Sequence, residues 1–155
     1  MAPLWRHFYI TENNMDLIQM FSLDSKKLEG GVVIPFGKNR KGQEQEITLR
    51  PAVDANTEYT AKLTAIYTRY STEMSIGLGD AVRQNVEAAT REAYAECCIV
   101  GWKNLLDDKG NEIEYSAAAA TKLVTDYPQL YNFLLMKSKD IANFREAEIK
   151  AEEKN

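Results

Sequence analysis

Acidic residues crowd one short stretch of the chain, where Asp107, Asp108, Asn111, Glu112 and Glu114 surround Gly110. Oxygen ligands at that density raise the question of calcium. A calcium loop of the EF-hand type alternates its ligands and carries glycine at its sixth position. Counted from Asp107, the third residue is Lys109 and the sixth is Glu112, so a cation stands where a ligand oxygen belongs. The stretch reads instead as a solvated reverse turn, Asp107-Asp108-Lys109-Gly110, with glycine where a positive φ is needed. The two cysteines are adjacent, Cys97-Cys98. Neighbours on a helix point about 100° apart, and the pair lacks the C-x-x-C spacing of redox and zinc sites. Cys97 reads as a small buried hydrophobe. His7 is the single histidine, so general-base and zinc chemistry lack parts. Phosphate-loop, dinucleotide and nucleophile-elbow patterns do not occur. The chain is therefore expected to be non-enzymatic, with no catalytic, cofactor-binding or metal site.

The charge balance excludes further classes. A net charge of −4 gives no electrostatic footprint for nucleic acid, whose binding rests on phosphate neutralisation. The basic runs at Lys26-Lys27 and at residues 38–41 sit in polar, turn-like segments and read as solvated. No window approaches the ~20 apolar residues that span a bilayer, and Phe8-Tyr9-Ile10 is too short for a signal-peptide core. No membrane partner is expected, and the protein is placed in the cytosol. At 155 residues and 45% hydrophobic, one domain with a substantial core is the natural expectation.

The elements follow from periodicity. Val32-Val33-Ile34-Pro35-Phe36 is a β-branched run, and Pro35 places it at a sheet edge. Glu46-Ile47-Thr48-Leu49-Arg50 alternates as a half-buried strand does. Together they predict a two-stranded hairpin that needs helices to cover its apolar face. Arg50-Pro51-Ala52 ends it, and Asp54 is the expected N-cap of the next helix. On that helix Tyr59, Leu63, Ile66 and Tyr70 form one stripe, and residues 71–79 read as a break. A long helix from about Asp80 to Val100 then aligns Val82, Val86, Ala89, Ala93, Cys97 and Val100, with Gly101 at its end. Ser116 caps a helix beginning at Ala117, and Asp126, Pro128 and Gln129 make a near capping box for the last one.

The last helix carries two apolar stripes. Tyr127, Leu130, Phe133, Leu134, Ile141 and Phe144 form the first; Tyr131, Leu135, Ala142 and Ile149 lie beside it. Two explanations stand: a central helix buried on two sides, or a second stripe that meets a partner or another copy. Trp102 carries the same ambiguity between anchoring a turn and binding. The candidate partner-binding residues are thus Tyr131, Leu135, Ile149 and Trp102.

The predicted fold is mainly α with a small β-hairpin (α+β): about four helices covering an N-terminal two-stranded antiparallel hairpin. Residues 15–145 form the domain. Residues 1–14 read as an N-terminal extension, since Met15 looks as natural a start as Met1, and residues 146–155 read as a polar C-terminal tail.

The order of these elements resembles a known family. Gly101-Trp102-Lys103-Asn104-Leu105 is followed by the acidic glycine turn at 107–110, by a short apolar-aromatic segment closing on serine at 113–116, and by Asp126-Tyr127-Pro128-Gln129-Leu130-Tyr131. Helix, tryptophan element, turn, short helix and D-x-P-led final helix in this order resemble the tail assembly chaperones of long-tailed bacteriophages. The hairpin and Arg50-Pro51-Ala52 fit too, so the resemblance covers roughly residues 15–155. It implies a chaperone that keeps the tape measure protein soluble and recruits tail tube protein, working in the cytoplasm of the infected bacterium and absent from the mature virion. The rival from another class is a structural tail-completion or connector subunit.

Overall fold

The computed structural model describes residues 16–77 and 79–146. The expectations for residues 1–14, for most of the C-terminal tail and for Ile149 lie outside the described residues. Two short helices, α1 (Leu17–Phe21) and α2 (Ser25–Gly30), precede β1 (Val32–Lys38) and β2 (Glu44–Leu49). Two long helices follow, α3 (Thr57–Ser75) and α4 (Gly79–Cys98), then β3 (Ile99–Lys103), α5 (Ala117–Asp126), α6 (Pro128–Lys139) and a 3-10 turn, Ile141–Asn143. The α+β class holds, with a three-stranded sheet in place of the expected two-stranded hairpin.

The sheet is antiparallel in the order β1-β2-β3. Ile34 pairs with Ile47 and Ile47 with Trp102, while Leu49 pairs with Ile99 across a bulge. One face therefore presents Ile34, Ile47, Leu49 and Ile99, all buried. β1 is an edge strand, as Pro35 requires, and its own bulge lies between Pro35 and Lys38. The β1–β2 turn is held by Asn39, whose Oδ1 accepts from the Lys41 and Gln43 amides.

β3 corrects the sequence reading. The helical pattern was expected to run to Val100, but α4 ends at Cys98 and the chain continues directly as a strand. The physical reason is non-local. β2 has a free edge, and Ile99 and Trp102 fill its buried face better than another helical turn would. Val100 falls at the bulge and is 40% exposed.

The helix caps shift in the same way. Asn56, not Asp54, caps α3: its Oδ1 accepts from the Tyr59 amide, while Asp54 lies exposed in the preceding turn. Asn56 is fully buried, and its Nδ2 donates to the carbonyls of Pro51 and Cys97. The expected break at 71–79 is narrower, because α3 runs to Ser75. Ser116 caps α5 as expected, accepting from the Ala119 amide. Asp126 does not cap the last helix: it closes α5 and pairs with Lys122, and Tyr127 precedes α6 with Pro128 in its first turn.

α6 is also shorter than its apolar pattern. Asp140 accepts from the Ala142 amide and turns the chain into the 3-10 segment. The stripe through Ile141 and Phe144 is therefore not continuous on one helix. Phe144 nonetheless reaches the interior and is fully buried. The core cluster gathers Tyr94, Val124 and Leu134 from the helices and Ile47, Leu49 and Ile99 from the sheet. Among the described residues no helix is long and apolar enough to cross a membrane.

Candidate functional site

An open cleft of about 700 Å³ lies where the sheet, the loop after β3 and the α5–α6 corner meet. Phe36 and Gln45 come from the sheet. Leu105, Leu106, Asp107, Asp108 and Ile113 come from the loop. Ala119, Lys122, Leu123 and Asp126 belong to α5, and Tyr127, Gln129 and Leu130 open α6. Its lining is mostly apolar, and Asp107, Asp108, Lys122 and Asp126 are the charged residues in it. The volume falls within the range of sites that take small ligands or a few side chains of a partner.

Hydrogen bonds fix the cleft's walls. The Trp102 indole donates to the Ile113 carbonyl at 2.7 Å, and the Ile113 amide donates to the Leu105 carbonyl at 2.8 Å. Trp102 also meets Tyr115 edge-on at 5.1 Å, and the Tyr115 hydroxyl donates to the Ile99 carbonyl. Asn104, at φ 62°, donates through Nδ2 to the Glu44 carbonyl and accepts at its own carbonyl from Asn39. Arg40 donates to the Asp107 carbonyl at 2.6 Å. Asp107 Oδ1 accepts from the Lys109 and Asn111 amides, so one carboxylate oxygen holds the turn. Gly110 supplies the positive φ, at 85°. Among the described residues no group of three or more His, Cys, Asp or Glu is placed to hold a metal ion.

The residues singled out from the sequence are set elsewhere. Tyr131 is half-buried, edge-on to Tyr94 at 5.5 Å and under the Arg91 guanidinium at 5.5 Å from its ring centre. Burial pushes its hydroxyl pKa up. Leu135 is half-buried and packs against the core. Trp102 is half-buried at the back of the loop and does not line the cleft. The structure thus brings Tyr131 and Leu135 together on the inner side of α6, away from Trp102. Tyr94 continues the aromatic row to Tyr59, 6.2 Å away, and its hydroxyl shares a hydrogen bond with Ser138. Cys97 and Cys98 are both buried, and desolvation raises both thiol pKa values. They are protonated packing groups rather than nucleophiles.

Sequence reasoning missed the cleft, although its signal was present. Eight of the fourteen lining residues fall in the four elements that carry the phage resemblance. Those elements read as joints, and in three dimensions the joints converge on one surface. Tyr127 was assigned to a buried stripe, yet it is 60% exposed at the cleft's edge.

The family model of the YdaY prophage protein matches residues 54–155, about two thirds of the chain. The chain belongs to the YdaY prophage protein family. Its origin is therefore phage-derived. The matched part begins just before α3 and includes both long helices, β3 and twelve of the fourteen cleft residues; Phe36 and Gln45 lie ahead of it. The chain matches no curated protein and no solved structure.

Proposed function

We propose that this prophage protein is a non-enzymatic tail assembly chaperone that keeps the tape measure protein soluble and recruits tail tube subunits. It works in the cytoplasm of the infected host and leaves before the virion is complete. The observation that carries the reading is the convergence on one apolar cleft of the four elements that resemble the tail assembly chaperones. A cleft of this kind suits helix-in-groove recognition, in which apolar side chains spaced i, i+3 or i+4 and i+7 enter from one face of a helix. The tape measure protein is long, helical and apolar along such faces, as the resemblance implies. A small cleft holds each segment weakly, so arriving tube subunits displace it through a fast off-rate.

Co-expression with the phage's tape measure protein tests this reading. The wild-type chain is expected to raise the soluble fraction of that protein, and Tyr127→Asp to abolish the gain. Tyr127 is exposed and stands at the N-cap of α6 without a side-chain cap. Aspartate there leaves the fold's stability unchanged or raises it by up to ~1 kcal/mol, so lost solubilisation reports on the surface and not on folding. A tape measure protein equally insoluble with and without the wild-type chain removes the proposal. If Tyr127→Asp solubilises as well as wild type, the cleft is not the seat.

A further inference from the structure

The helices α3 and α4 leave the core together as an arm. Of α3 only Tyr59 is buried, and α4 has no buried residue before Ala93. Each is the other's main neighbour over the outer half, where Gly77 and Gly79, both at positive φ, join them. Two helices alone cannot cover their own seam. Ile66, Tyr70, Val82 and Val86 stay half-buried, while Tyr67, Met74 and Ile76 are 49%, 51% and 64% exposed. Near the tip the two helices enclose a shallow notch of about 300 Å³, lined by Glu73, Met74, Val82, Arg83, Val86 and Glu87 among others. Glu73 Oε2 is buried without a hydrogen-bond partner.

The charges on this face say what covers it. Arg83, which also pairs with Asp80 at 3.1 Å along its own helix, and Glu87 are four residues apart and share one side of α4, and both line the notch. Suppose two α4 helices cross antiparallel on a two-fold axis at Asn85. The residue two before the axis then faces the residue two after it, so each Arg83 meets the other copy's Glu87. Parallel alignment would instead set Arg83 against Arg83 and Glu87 against Glu87. The face is complementary to itself in the antiparallel sense.

We propose that a second copy of this chain covers the arm, closing two helical hairpins into an antiparallel four-helix bundle. Met74, Val82 and Val86 form its apolar seam, flanked by two Arg83–Glu87 pairs. The patch is smaller than the ~20–30 residues per side of a standard stable interface, so the dimer dissociates on dilution. It shares no residue with the cleft, which leaves two clefts free on one particle. The inference does not depend on the chaperone reading.

Sedimentation velocity of the full chain over a wide concentration range tests it. The wild type should shift from monomer to dimer mass as concentration rises. Arg83→Glu and Glu87→Arg should each weaken the dimer at least tenfold, with unchanged helical circular dichroism, because both positions are exposed. Mixing the two variants should restore the dimer, since every facing position in the mixed pair is again opposite in charge. A wild type that stays monomeric throughout overturns the proposal. So do single variants that dimerise normally, or a mixture that fails to recover.

Discussion

Replacing Tyr131 with alanine asks whether the inner side of α6 is a core surface or a working one. The ring sits edge-on to Tyr94 and beneath Arg91, both at 5.5 Å, and most of the residue is out of water. Truncating a fully buried aromatic to alanine costs about 3–5 kcal/mol; the residual exposure of this ring brings the lower figure to roughly 2. The edge-to-face pair adds about 0.5–1.5 kcal/mol, and a cation over the ring at a partly exposed site adds about 0.5. The expected loss is about 3 kcal/mol, which lowers Tm by roughly 6–12 °C for a chain of this size. A domain with the usual ~5–15 kcal/mol of stability remains folded. Urea unfolding followed by circular dichroism measures the loss, and a double-mutant cycle with Arg91→Ala should return a coupling of about 0.5 kcal/mol. Tyr131→Phe should retain nearly all the stability, because the ring makes the contacts. A loss under about 1 kcal/mol, accompanied by lost solubilisation of the tape measure protein, would refute the reasoning and place the working surface on α6.

Asn56→Ala should cost about 2–4 kcal/mol, because it removes an N-cap, takes the amide donor from the Cys97 carbonyl and leaves the Pro51 carbonyl only the weak Cys98 thiol; equilibrium unfolding checks this, and a change below about 1 kcal/mol contradicts it. Alkaline pH should unfold the protein. Burial raises the proton affinities of Tyr94 and Cys98 above their ordinary values of 10.0 and 9.0, so the native state keeps protons that the unfolded chain releases. Stability from these groups is full below about pH 9. It falls as pH rises further, by about 1.4 kcal/mol per unit for each group past its unfolded value. A denaturation free energy that stays flat from about pH 8 to about pH 11 would show that the two are not buried together.

What the residues disclosed in one dimension was mostly local. Tyr59, Leu63, Ile66 and Tyr70 mark α3 because a 3.6-residue period needs no tertiary information. Ser116 and Gly110 do their work within three residues of themselves. β3 was hidden for the opposite reason. Ile99 to Lys103 follow twenty helical residues with no breaker before Gly101, and only the free edge of β2, fifty residues earlier, makes them a strand. Asp140 posed a similar problem, because a side chain that competes for backbone amides can stop a helix whose apolar pattern continues. The cleft did not read as one site, although most of its residues carried a signal, since they arrive from four separate places. Several of them, such as Asp107 in its turn, also hold the structure together.

That double use bears on how the cleft can bind. Loop-built sites often lose affinity to the ordering of their own chain on association. Here the loop from Asn104 to Ile113 is tied down in advance: by Asn104 and Arg40 to the β1–β2 hairpin, by the Trp102 indole to β3, and by the Leu105–Ile113 pair to itself. Little ordering remains for a partner to impose. Affinity is then set by the small apolar area that the cleft can cover. On the proposed function such a site is expected to bind readily, to tolerate many apolar segments of similar shape and to release each of them fast. The proposed carrier of a long helical client needs that combination, and an enlarged or more mobile cleft would supply it less well.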